Sequence, residues 1–145
     1  MARYWSWASL EFSVVQEGQG TKLFTEINSV AYSDGVESEL VRGAGRDVLG
    51  TTDPVYNPAD FSFDLFNKWY RTFAKDATND GEFYLGDLDF QMVIKHKLRS
   101  EAEAVVDEVD FQILTATNTN AQGAPALITN VTCLPTRITR DGIQI

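Results

Sequence analysis

Alternation of apolar and polar positions dominates the chain. From Asp87 to Leu98, the residues Leu88, Phe90, Met92, Ile94 and Leu98 share one parity, while Asp87, Asp89, Gln91, Lys95 and Lys97 share the other. Successive side chains of a strand point to opposite faces, so a period of two predicts a strand with one apolar and one wet face. His96 falls on the apolar parity near the end of this run. Val105 to Thr115 repeats the pattern, with Val105, Val109, Phe111 and Ile113 set against Glu108, Asp110 and Gln112. Tyr4 to Val15 predicts a further strand with Tyr4, Leu10, Phe12 and Val14 on one side, and Trp5 and Trp7 interrupting the polar side. Ala126 to Ile138 predicts the last long strand. Pro135 interrupts it, and because proline donates nothing to a ladder it marks an edge or a bulge.

Between the first and the later strands lies a different organisation. Gln16 to Gly20 reads as a loop, and Leu23 to Tyr32 as strand. Asp34-Gly35 then predicts a tight hairpin turn, since such turns need residues that accept positive φ. A second strand, Val36 to Val41, runs into Gly43, Gly45, Gly50, Thr51, Thr52 and Pro54. This loop, about residues 42–57, is too polar and glycine-rich to bury itself, and loops of that length on a scaffold tend to carry function. Tyr56 to Asp60 reads as a turn. From Asp64 the period changes to that of a helix: Phe66, Trp69, Tyr70 and Phe73 fall at i, i+3, i+4 and i+7, and Thr78-Asn79-Asp80-Gly81 ends the run. Thr117 to Pro125 reads as a polar loop, and Asp141-Gly142 as a final turn.

The pattern as a whole predicts a mainly β domain over residues 1–145. It is an antiparallel β-barrel or sandwich with one flanking α-helix at about residues 64–77. Composition narrows the function. A chain of 145 residues with 43% hydrophobic and 12% aromatic content is large enough to bury a core. Net charge is −9, against the basic face that phosphate binding needs. Met1 to Glu11 lacks the apolar run of a signal peptide, and no stretch has the length of a membrane span.

Catalytic equipment is sparse. His96 is the only histidine and Cys133 the only cysteine, so neither a histidine-based metal site nor a disulfide framework is expected. Gly43-Ala44-Gly45 lacks the further glycine of a dinucleotide fingerprint and the Gly-Lys-Ser/Thr of a phosphate loop. Carboxylate groups such as Asp87/Asp89 or Asp107/Glu108/Asp110 read as a solvated strand face, and they lack calcium-loop spacing. The expectation is a structural protein without cofactor or metal. Asp87, Asp89, Gln91, Glu108, Asp110 and Gln112 are its candidate wet sheet face.

Several stretches in order carry a resemblance: Arg42-Gly-Ala-Gly-Arg-Asp-Val-Leu-Gly-Thr-Thr52, Tyr56-Asn-Pro-Ala-Asp-Phe-Ser-Phe63, the aromatic helix, Asp87-Leu-Asp-Phe-Gln-Met-Val-Ile94 and Val105-Val-Asp-Glu-Val-Asp-Phe-Gln-Ile113. Together they resemble the tail tube proteins of contractile bacteriophages, and the related Hcp proteins of type VI secretion. The two N-terminal tryptophans and the Thr117–Pro125 loop depart from that pattern. The resemblance implies a virion tail tube subunit, assembled in the host bacterial cytoplasm without membrane insertion. Hexameric rings would close a shared β-barrel around a lumen. They would stack through a loop here comprising Arg42, Gly43, Gly45, Arg46, Gly50, Thr51, Thr52 and Pro54. It further implies sheath, tape measure, baseplate and tail terminator partners, and passage of DNA without specific binding. Either the lumen or the outer side of the tube receives the wet face. Two alternatives accompany this reading: a tube of a related injection or type VI secretion system, and a small β-barrel that binds a ligand.

Overall fold

A computed structural model describes residues 2–18, 22–24, 26–45 and 47–145. Its strands are β1 (Leu10–Gln16), β2 (Lys22–Phe24), β3 (Ser29–Glu37), β4 (Leu40–Arg42), β5 (Val48–Thr51), β6 (Val55–Phe66), β7 (Asp89–His96), β8 (Val105–Thr119) and β9 (Ile128–Arg140). One α-helix, α1 (Asn67–Ala77), lies among the described residues, with 3-10 turns at Trp7–Ser9 and Leu85–Asp87. Seven strands form one antiparallel sheet in the order β2-β1-β7-β8-β9-β6-β3, and β4 and β5 form a separate two-stranded ribbon. The chain is therefore mainly β with a flanking helix, and among the described residues the sheet stays open, with β2 and β3 as its rims.

The sheet is curled nevertheless. The Tyr32 hydroxyl on β3 donates to the Asp107 carboxylate on β8, although β6 and β9 lie between those strands. In a flat sheet three strand spacings of about 4.8 Å would hold them some 14 Å apart, beyond the combined reach of the two side chains. The inner face of the curl is the apolar parity read from the sequence: Phe12 and Val14 on β1, Phe90, Met92 and Ile94 on β7, Val109, Phe111 and Ile113 on β8, with Phe61, Phe63 and Leu65 from β6. Phe111 sits at the hub, its ring centroid 4.8 Å from Phe61, 5.7 Å from Phe90 and 6.1 Å from Phe63. Helix α1 lies against β2, β6 and β9. It buries Phe73 and Ala77, and Phe73 meets Phe90 at 5.4 Å.

Tertiary pairing overrides several local signals. Asp34-Gly35 is no turn: β3 runs through it, pairing Asp34 with Pro58 and Gly35 with Asn57. The register skips Ala59 between Ser33 and Asp34, a bulge that absorbs the extra residue. Tyr56 to Asp60 is likewise strand. Pro58 is tolerated because the β6–β9 ladder begins only at Phe61, so its missing N–H costs no bond to β9. The helix starts at Asn67, later than its aromatic spacing predicts. Phe66 is extended (φ −64°, ψ 140°) and Asp64 is held in β6 by Ser29, whose hydroxyl donates to it at 2.9 Å. The run from Asp87 becomes strand only at Asp89, and β8 continues to Thr119 by pairing with β9. Pro135 does sit at a bulge, where Asp110 pairs with Arg137 and Phe111 with Pro135. At the N-terminus only Leu10 to Gln16 is strand. Trp7 lies in the 3-10 turn and packs on Phe12 at 5.2 Å, while Tyr4 is 86% exposed. Gln19 and Gly20 of the expected loop, and Thr25 of the expected strand, lie outside the described residues.

Candidate functional site

Three features stand out: a polar sheet face, a projecting arm and a partly buried polar chain. Pairing of β7 with β8 brings Asp89 opposite Gln112 and Gln91 opposite Asp110, with Glu108 opposite Val93. Gln91 Nε2 donates to Asp110 Oδ1 at 3.0 Å, and Gln112 Nε2 donates to Asp89 Oδ1 at 2.6 Å. Asp87 is set apart from these five, exposed in the 3-10 turn before β7. The face also holds cations. Lys95, on the parity of Asp89 and Gln91, stands opposite Glu11 of β1, and Arg137 of β9, which single-strand parity on β7 and β8 leaves out, stands opposite Asp110. It is a mixed polar surface with an acidic excess.

The expected irregular loop is an ordered arm. β4 and β5 pair Leu40 with Thr51, Val41 with Gly50 and Arg42 with Val48. Thr52 N–H donates to the Glu39 carbonyl at 2.8 Å, and Glu39 N–H donates to Thr52 Oγ1 at 2.8 Å. Arg42, Gly43, Gly45, Gly50, Thr51, Thr52 and Pro54 all lie on this arm; Arg46 lies outside the described residues. Gly45 has φ +129° and so needs glycine, while a side chain at Gly43 would meet Leu49 at 3.2 Å. Every described residue from 36 to 55 is exposed, including the apolar Val36, Leu40, Val41, Val48, Leu49 (71%) and Val55. A two-stranded ribbon is marginal by itself, and none of the described residues of this one is buried.

The partly buried polar chain escaped the sequence reading. Arg140 on β9 pairs with Asp34 on β3, whose side chain is 0% exposed. The Tyr56 hydroxyl donates to Asp34 Oδ2 at 3.0 Å, lies 3.1 Å from the Ile138 carbonyl and accepts the Ile138 N–H at 3.0 Å. A hydroxyl thus replaces the neighbour strand where β6 has left β9. The Arg140 guanidinium also lies over the Tyr32 ring at 5.4 Å. Asp107 Oδ2 takes the Tyr32 hydroxyl and stands 3.2 Å from His96 Nε2, with Trp5 against the His96 ring at 5.1 Å. Burial, then the hydrogen bond to Asp107, pushes the Tyr32 phenol well above its ordinary range. Two signals pointed here: His96 on the apolar parity, and Asp107 sharing the parity of Val109, Phe111 and Ile113.

Asp107 faces inward while Glu108 and Asp110 face outward, so these three carboxylates never share one pocket. Among the described residues no group of three or more His, Cys, Asp or Glu side chains is placed to hold a metal ion, and no helix is long and apolar enough to cross a membrane. Cys133 is buried, and burial alone pushes its thiol up to about 12.

No family model matches the chain, and neither does any curated protein. Solved structures do. A chain of the anti-feeding prophage baseplate, from a 6-fold symmetrised cryo-EM structure, superposes with a TM-score of 0.62 at 10% identity, covering 100% of both chains. A type six secretion system protein superposes with a TM-score of 0.55 at 10% identity, covering 90% of this chain and 82% of the other. The chain shares its fold with components of a prophage baseplate and of a type six secretion system.

Proposed function

We propose that this chain is a repeated wall subunit of the tail tube of a contractile phage or phage-like particle. Copies associate edge to edge into hexameric rings, and the rings stack through the arm around an open lumen. The observation that carries this reading is the arm: an ordered ribbon with every described residue exposed, among them the apolar Leu40, Val41, Val48 and Leu49. Surfaces of that kind mark protein contacts. Among the described residues β2 and β3 are the outer strands of an open sheet, which supports ring closure, since unpaired strand edges are otherwise sites of aggregation and closure across subunits removes them. The fold likeness to a chain of a 6-fold symmetrised baseplate is in keeping with such a ring. The polar face of Asp89, Gln91, Glu108, Asp110 and Gln112 then lines the lumen, with Asp87 near its end. Its acidic excess keeps DNA moving by repulsion, weakened by salt. Sheath, tape measure, baseplate and terminator proteins are the partners expected of such a tube.

A tube of a type VI secretion or related injection system is the second reading, favoured by the likeness to a type six secretion system protein. Both predict rings. Negative-stain microscopy of concentrated protein should show rings or tubes with open centres. A monomer at every concentration overturns both. Removing residues 43–52 should leave a folded monomer unable to stack.

A further inference from the structure

One apolar surface lies far from the arm. The start of α1 and the segment before β9 enclose an open groove of about 560 Å³ lined by Phe66, Lys68, Trp69, Arg71, Ala126 and Leu127. Its walls are pinned together. Asn67 N–H donates to the Leu127 carbonyl at 2.9 Å, and the buried Thr129 hydroxyl lies 3.2 Å from Asn67 Oδ1 and 2.8 Å from Asn118 Oδ1. Phe66 and Leu127 are each 40% exposed there, and the lining joins Phe66, Trp69, Ala126 and Leu127 to two cations, Lys68 and Arg71. Lys68 Nζ sits 5.5 Å above the Trp69 ring, which holds one of those charges beside the apolar floor.

We infer that this groove receives the arm of a second copy of the chain, so that copies join head to tail. The inference rests on the proposed stacking and adds the surface that takes the arm. Three observations converge on it. The arm presents exposed Leu40, Val41, Val48 and Leu49, the apolar complement of the groove. It carries Glu37, Glu39, Asp47 and Asp53 against the two cations Arg42 and Arg46, an acidic excess opposite in sign to Lys68 and Arg71; complementary charge of this kind fixes partner and orientation. Finally, the arm leaves β6 at Val55 and the groove begins at Phe66, the two ends of one 12-residue strand. At about 3.3 Å per residue these lie roughly 36 Å apart, so the arm does not reach its own groove. A contact between unlike surfaces runs head to tail, and it extends as an open stack unless its rotation closes it into a ring.

The test uses the full chain. Leu49→Cys and Leu127→Cys variants are mixed and oxidised mildly; native Cys133 is buried and stays out of the exchange. The expected result is a crosslinked dimer from the mixture, and a ladder of higher species from the double variant. Leu127→Glu should raise the concentration needed for assembly by tenfold or more while the monomer keeps its circular dichroism. If Leu127→Glu assembles like wild type and no mixed crosslink forms, yet removal of residues 43–52 stops assembly, the groove is wrong and arm-mediated stacking stands. If removal of residues 43–52 leaves assembly intact, both fall. Should the Leu127→Glu monomer fail to fold, the mixed crosslink decides the matter, and its absence overturns the inference.

Discussion

Arg140 and Asp34 pair across 106 positions of sequence, and their burial is unequal: the arginine side chain is 42% exposed, the aspartate 0%. That inequality dictates how the pair responds to truncation. Arg140→Ala leaves the Asp34 carboxylate in the interior with the Tyr56 hydroxyl as its partner among the described residues, whereas Asp34→Ala leaves a guanidinium that water can reach. An uncompensated buried charge is the costlier of the two. Arg140→Ala should therefore destabilise more than Asp34→Ala in urea unfolding. The double substitution should cost less than the sum of the two, with a coupling of about 0.5–3 kcal/mol. Equal single costs would show that the pair behaves as an ordinary surface ion pair, worth about 0–1 kcal/mol.

Tyr56 tests the same region from the backbone side. Its hydroxyl takes the N–H of Ile138, a fully buried residue, at a point where the β6–β9 ladder has already ended. Tyr56→Phe keeps the ring and removes that partner. An unsatisfied buried donor costs about 1–3 kcal/mol, read as a lowered urea midpoint with unchanged slope. Amide exchange at Ile138 should rise well before exchange at Val109. An unchanged midpoint would mean that water replaces the hydroxyl.

What the sequence disclosed and what it hid follow from one distinction. Burial on a strand is a property of alternate positions, so the inner residues Phe90, Met92, Ile94, Val109, Phe111 and Ile113 were legible from period alone, as was the mixed identity of the β7–β8 outer face. Long-range pairing was not. Asp34-Gly35 carries the local chemistry of a turn, but Arg140 and Tyr56 hold Asp34 inside a continuous strand. Similarly, glycine and threonine content from Gly43 to Thr52 signalled irregular chain, while the pairing of β4 with β5 depends on register that composition does not encode. Lys95 was already on the polar parity, whereas Arg137 joined that face only once β8 and β9 were aligned.

Cys133 gives a prediction in pH. Burial raises its thiol from 9.0 to about 12, so the folded state holds the proton more tightly than the unfolded chain. For an acid raised in this way, stability is fully present below pH 9 and declines as pH rises from 9 toward 12. The raised phenols of Tyr32 and Tyr70, both driven first by burial, act in the same direction. Unfolding free energy should be flat in the thiol's contribution up to pH 9 and fall above it, and Cys133→Ala should shallow that fall. Folded protein at pH 8 should resist iodoacetamide, with labelling appearing only in denaturant. Rapid labelling of folded protein would contradict the burial.

Core and arm should answer differently to the same chemistry. Phe111→Ala removes the hub of the ring cluster, with Phe61 and Phe90 on either side, and should cost about 3–5 kcal/mol. Leu49→Ala trims a side chain that is 71% exposed, and monomer stability should stay within about 0.5 kcal/mol of wild type. Calorimetry below the assembly concentration separates these outcomes. A large loss of monomer stability from Leu49→Ala would mean that the arm packs on its own domain.

The last prediction separates two glycines of the arm. Gly45 has φ +129°, in a region that side-chain-bearing residues occupy only at a cost of about 1–3 kcal/mol. Gly50 lies in β5 opposite Val41, and a side chain there would meet nothing within 4 Å. Gly45→Val should therefore loosen the ribbon while Gly50→Ala leaves it intact or slightly firmer, because alanine has fewer unfolded conformations to lose. Since every described residue of the arm is exposed, its opening is a local event with little claim on the core. Hydrogen exchange should report this directly. In Gly45→Val the β4–β5 amides should exchange faster, those of β8 and β9 should not change, and the thermal midpoint should stay in place. If Gly45→Val instead lowers the midpoint of the whole domain, the arm unfolds together with the sheet and is no independent ribbon.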